Sequence, residues 1–324
     1  MKVIIQLLLY LLVLIQSTNG QNAVFQNQYL FNPLLINPAY AGGQKEGEVQ
    51  VMYKKYLSGF DNAPVSKLFS IHAPIPKKRI GLGLNVFSDS NGGSGFKGLE
   101  GSFAYHINYD TVDLKDSKYH LSFGISSTIN QLSIDRANLF GVEVTDPILS
   151  NRKLSSASGN ANIGLLLYNR GFSIGLSIYN IVPIPNKLYT SILEPKSSPL
   201  VFIQSGYRLP VGEQFTITPS LMFHTQQNAN YNLDVNLGFA YHINNKDFVQ
   251  LITTYKSFSE NLSKGSQAIA MNVQMVFSSF FVGFHFEIPT SIVSNFTSGG
   301  HAIQFGYKFQ EGKPKLLQSQ LEEF

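Results

Sequence analysis

The chain has 324 residues, 44% hydrophobic but only 14% charged, with a formal net charge of +4 and no cysteine. A soluble domain carries about 25% charged residues, and a nucleic-acid surface would need a basic stripe that the scattered lysines and arginines do not form. The absence of cysteine excludes disulfides, thiolate metal centres and a cysteine nucleophile together.

Residues 1–20 read as a secretory signal. Lys2 supplies the basic end, Val3 to Ile15 the apolar stretch, and Ser17-Thr18-Asn19-Gly20 a small, polar cleavage zone. Beyond it, no uncharged apolar run approaches the ~18 residues a spanning helix needs. Mean hydropathy is +0.01. Low charge with neutral hydropathy suits a membrane barrel, whose lipid-facing and lumen-facing residues alternate and average out.

Residues 21–46 form an N-terminal segment of unusual composition. Phe31-Asn32-Pro33-Leu34-Leu35-Ile36-Asn37-Pro38-Ala39-Tyr40-Ala41-Gly42 carries two Asn-Pro steps split by three aliphatic residues. Proline fixes its own φ and pushes the preceding residue out of the helical region, so this apolar run is extended or turned.

Residues 47–309 contain fourteen strand-like segments, at 47–57, 65–73, 80–88, 98–107, 119–132, 160–168, 172–181, 200–209, 214–225, 231–243, 248–258, 268–277, 280–288 and 302–309. Each is near the ~10 residues of a tilted membrane strand. Alternation is cleanest in the fifth, where Tyr119, Leu121, Phe123, Ile125 and Ile129 oppose His120, Ser122, Gly124, Ser126, Thr128 and Asn130. The polar face is small and mostly neutral, which fits a barrel interior better than bulk solvent and argues against a charge-ringed porin. Phe103-Ala104-Tyr105-His106-Ile107-Asn108 recurs as Phe239-Ala240-Tyr241-His242-Ile243-Asn244, and its outward aromatics suit an interfacial girdle.

Connections alternate in length. Even-numbered ones are mostly tight, whereas odd-numbered ones include 133–159 and 182–199, with 89–97 and 289–300 next. Barrels show this asymmetry between periplasmic turns and outer loops. The two longest loops are the expected partner contacts, through Asp135, Arg136, Asp146, Arg152 and Lys153 in one and Lys187, Tyr189 and Glu194 in the other. Residues 310–324 form a polar tail expected in the periplasm. No catalytic, metal or cofactor motif stands out, so neither enzymatic activity nor a cofactor is expected. A hydrolase on the barrel wall is a minor alternative.

Gln28 to Gly42, with both Asn-Pro steps and Ala39-Tyr40-Ala41-Gly42, resembles the N-terminal signature of the PorP/SprF family. The signal peptide, the strand-rich body and the length extend the resemblance over essentially the whole chain. The resemblance implies an antiparallel outer-membrane β-barrel tied to type IX secretion. Its implied partners are a secreted, gliding adhesin-type protein with a type IX C-terminal targeting domain, periplasmic proteins of the machinery and outer-membrane lipid. A passive or substrate-specific porin is the alternative. The motif, if its residues are periplasmic, is expected to pack in the lumen as a plug or against a periplasmic partner, because Phe31, Leu34, Leu35, Ile36 and Tyr40 are costly to leave in water; the alternative is an extended lead-in held against the wall.

Overall fold

A computed structural model describes residues 28–43, 46–56, 59, 63–76, 78–107, 120–135, 153–169, 171–182, 199–226, 230–244, 246–259, 267–290, 297 and 299–309. The strands are β1 (Gly47–Lys55), β2 (Val65–Pro74), β3 (Ile80–Asn91), β4 (Ser94–Ile107), β5 (His120–Asp135), β6 (Lys153–Asn169), β7 (Phe172–Tyr179), β8 (Leu200–Tyr207), β9 (Leu209–Val211), β10 (Phe215–Gln226), β11 (Asn230–His242), β12 (Phe248–Ser259), β13 (Gln267–Phe277), β14 (Phe280–Pro289) and β15 (Gly300–Phe309). β9 continues the course of β8 past Arg208, and both pair with β10, so the wall is crossed fourteen times.

All neighbours are antiparallel, and the last strand pairs with the first from Gly47↔Phe309 to Lys55↔His301. Closure leaves no unpaired edge, the condition for β-structure in a bilayer. It also places the start of β1 and the end of β15 together, at the end that carries the short turns. Gly171, Gly212 and Ser278 take positive φ in those turns. Two turns are tied together. The exposed Asp247 carboxylate accepts from the Ser278 N–H at 2.6 Å and from Asn244 Nδ2 at 2.7 Å, and these donors hold it below the usual carboxylate range.

The pleat sorts the residues in the direction opposite to a soluble domain. On β13, Ile269 and Met271 are exposed, while Ala268, Ala270 and Asn272 are buried. On β5, Phe123, Ile125 and Ile129 point outward and Ser122, Ser126 and Asn130 inward. Large apolar side chains outside and small polar ones inside are what a lipid-facing wall requires. Replacing Ile125 with arginine is therefore expected to cost about 2–4 kcal/mol if it lies near the bilayer midplane. A urea midpoint of the barrel refolded in vesicles, unchanged from wild type, would contradict this.

The fourteen expected strands are present, most with ends within a few residues. The larger differences lie at the long-loop end. Residues 89–97 are not a loop: β3 and β4 pair as far as Asn91↔Ser94, across Gly92 at φ 56°. The 133–159 connection also shrinks, because β5 and β6 pair out to Asp135↔Lys153. Strands of 16 and 17 residues exceed the ~9–11 needed to cross a membrane, so this hairpin stands above the bilayer. Period-2 hydrophobicity ends where lipid ends, while the hydrogen-bonded ladder continues into water.

Candidate functional site: the inserted segment and the lumen

Residues 28–43 lie inside the barrel. Each Asn-Pro step opens a single turn of 3-10 helix, Pro33–Leu35 and Pro38–Tyr40, with proline at the first position. The aliphatic run is thus turned, as the prolines require. Asn37 is an N-cap that works in two directions. Its Oδ1 accepts from the Ala39 N–H at 2.9 Å, and its Nδ2 donates to the Leu165 carbonyl on β6 at 3.0 Å. Asn32 makes no such cap.

Glycines of the inward face make room for this segment. A Cβ on Gly81 would overlap the Ala41 carbonyl, one on Gly124 the Pro38–Ala39 peptide, and one on Gly164 the Asn37 amide. A Cβ on Gly83 would stand 2.9 Å from a Leu34 methyl. Gly42 is constrained twice, since its φ is +62° and a Cβ there would meet the Gly81 Cα at 2.7 Å. Leu34 and Ala41 pack on Ala104, Ile36 and Tyr29 join Tyr179, Leu200, Phe202 and Met222, and Phe31 joins Met52 and Leu68. Leu34, Ile36, Ala39 and Ala41 are fully buried, and Leu35 and Tyr40 partly so.

Polar contacts hold the same segment. His106 Nε2 lies 2.9 Å from the Ala41 carbonyl and Nδ1 lies 2.7 Å from Ser122 Oγ. A carbonyl only accepts, so Nε2 carries the proton and Ser122 donates to Nδ1. Gln204 Nε2 donates to the Tyr40 hydroxyl at 2.9 Å, and Ser177 Oγ donates to the Ile36 carbonyl. Burial holds the Tyr40 hydroxyl above the usual phenol range. Burial and the neighbouring Asp234 charge do the same to Tyr29, whose oxygen accepts from Asn236 Nδ2 at 2.8 Å. The sequence repeat separates here. His106 meets the inserted segment, while His242 Nε2 pairs with Thr216 Oγ1 at 3.1 Å. Their outward aromatics, Phe103, Tyr105, Phe239 and Tyr241, are all exposed.

The inward face is mainly small and neutral, as expected, but it also holds a cluster of charges. Lys54, Lys256, Asp234, Glu100 and His285 all point inward and are buried. Lys256 Nζ lies 2.8 Å from Glu287 Oε2, Lys54 Nζ 3.9 Å and His285 Nε2 3.4 Å from the same oxygen. Lys54 also stands 4.2 Å from the centre of the Tyr56 ring. Glu100 is satisfied separately, by Ser126 at 2.6 Å and Asn162 at 3.1 Å. The signal was available: Asp234, Lys256 and Glu287 are single charges on the inward registers of the alternating strands β11, β12 and β14, and Glu48 and Lys54 share that of β1. Buried charges persist only when paired, so each implied a partner on a nearby strand of the wall.

A cavity of about 240 Å³ remains at the short-turn mouth, between Leu30, Phe31 and Pro33 on one side and the β10–β15 wall on the other. Of the expected loop contacts, Asp135 ends β5, with its N–H donating to the Gly93 carbonyl at 2.7 Å, and Lys153 begins β6. Arg136, Asp146, Arg152, Lys187, Tyr189 and Glu194 lie outside the described residues, as do the 1–20 signal segment and the 310–324 tail.

A closed antiparallel barrel with a lipid-sorted exterior and a polar interior is an outer-membrane β-barrel. Its fold is shared with a solved outer-membrane channel. It is similar to the CymD monoaromatic hydrocarbon channel, with 12% identity and TM-score 0.52 over 92% of this chain and 98% of that one. It is also similar to the toluene transporter TbuX of Ralstonia pickettii, with 11% identity and TM-score 0.49 over 91% and 97%. Identities this low show the architecture alone. The chain belongs to the type IX secretion system membrane protein PorP/SprF family, whose model matches residues 18–307. No curated protein matches it. It is a protein of the outer membrane.

Proposed function

We propose that this protein is a non-enzymatic barrel of the type IX system, closed at rest, that supports export and surface attachment of an adhesin-type protein by binding its C-terminal domain. Membership of the family supports the link to secretion. The observation that carries the closed state is the apolar segment seated in the lumen, with Leu34, Ile36, Ala39 and Ala41 fully buried against wall glycines. It acts as a plug at the end that bears the short turns, which is the periplasmic end in such barrels. The connections that follow β5 and β7, at the opposite end of the strands from the short turns, are the proposed cargo contact.

Planar-bilayer recording and co-purification with a cargo C-terminal domain test this reading. The expected result is little steady current and retention of the domain, lost when 136–152 and 183–198 are exchanged for short linkers. Large, steady conductance without retention would favour a substrate-specific porin, a reading that the lumen charges support.

A further inference from the structure

The inserted segment has two unequal halves. Ile36 to Gly42 is locked. Its backbone and polar side chains are met by Ser177, Leu165, Gln204 and His106, and three wall glycines leave no room for it to shift. Gln28 to Asn32 is held differently. Gln28 and Asn32 are each 1% exposed, yet neither side-chain amide has a hydrogen-bond partner among the described residues. On the facing wall the same is true of Asp234 Oδ2 and Gln304 Oε1. Buried polar groups without partners are costly, and of the segment's own polar side chains it is those of this half, Gln28 and Asn32, that are left unmet, whereas Asn37 and Tyr40 are bonded. The hydroxyl of Tyr29 reaches into the network through Asn236 and Asp234. The uncapped Asn32–Pro33 step divides the halves. Below it, Leu30, Phe31 and Pro33 are one wall of the 240 Å³ cavity that opens at the short-turn mouth.

We propose that Gln28–Asn32 is a gate, pivoting at Asn32–Pro33 while Ile36–Gly42 stays fixed. Its displacement joins the mouth cavity to the upper lumen lined by Lys54, Lys256 and Glu287, giving a polar passage through the barrel. The Tyr29 contact with Asn236 and Asp234 is the latch, and the unpartnered amides make release inexpensive. The inference is independent of the cargo role.

The chain has no cysteine, so a single introduced thiol reports its own position. Gln28→Cys and Ala39→Cys are prepared in the full barrel, each alone, with Tyr29→Phe and with Asp234→Ala, and treated with a small charged methanethiosulfonate. Residue 28 is expected to react about tenfold faster than residue 39 through local opening, and about tenfold faster again with either latch variant, while residue 39 is unchanged. Bilayer current should rise in parallel in Tyr29→Phe and Asp234→Ala. Equal protection at both positions in all backgrounds would overturn the proposal, as would equal acceleration, which would mean that the segment moves as one body. Tyr29→Phe removes a single oxygen, so it keeps the test decisive if Asp234→Ala fails to fold.

Discussion

Replacing Gly81 by leucine is expected to drive the inserted segment out of the lumen while leaving the barrel closed. A Cβ at this position overlaps the carbonyl of Ala41, which is backbone and cannot rotate away as a long side chain would. The wall is the stiffer partner, because β3 is held by ladders on both sides, ten residues to β2 and twelve to β4. The segment is held by packing of Tyr29, Phe31, Leu34 and Ile36. Each such side chain is worth about 1.5–3 kcal/mol when fully buried, so expulsion removes several kcal/mol of stabilisation. The measurements are protease sensitivity within residues 28–43 and bilayer current, both expected to rise sharply. Gly101→Leu is the control, since nothing lies within 4 Å of a Cβ there. Wild-type current and protection in Gly81→Leu would show that the wall yields instead.

Replacing Glu287 by glutamine is expected to be among the most destabilising single changes in the lumen. Its Oε2 is shared by Lys256 at 2.8 Å and Lys54 at 3.9 Å, and both lysines are buried. Removing one member of a buried charge set leaves the others uncompensated, at a cost of about 3–5 kcal/mol. The heat-induced shift from folded to unfolded mobility in detergent gels should occur at a distinctly lower temperature. Combining Glu287→Gln with Lys256→Gln should restore most of the loss, because the charge mismatch is then removed. If the single variant melts with wild type, the ion pairs are hydrated and contribute little.

Much of the wall was legible because its physics is local. The pleat has a period of two, and in β5 and β13 that period alone separates Ile125 and Ile269 from Ser126 and Ala270. The short turns were equally readable. The hairpin at Asn91–Ser94 and the long β5–β6 ladder were not, because above the bilayer the outward face no longer needs to be apolar and the pattern fades while pairing continues.

The lumen divided differently. That the two Asn-Pro steps bar a helix and that the apolar run needs burial follow from the chain. Which glycines receive it does not, since Gly81, Gly124 and Gly164 read along their strands only as small inward residues. Their role appears when strands distant in sequence are brought round to face Ala41, Ala39 and Asn37. The lumen charges behave partly in the same way: Lys256 and Glu287 meet through the consecutive strands β12 to β14, but only closure of β1 against β15 brings Lys54 to them.

The sequence by itself determined an alternating wall, an exported barrel and a segment that cannot be a helix, since each depends on interactions within a few residues. The tertiary structure alone decided where that segment sits, which wall residues yield to it and which charges share a carboxylate, because those contacts join residues far apart in sequence through the curvature of a closed sheet.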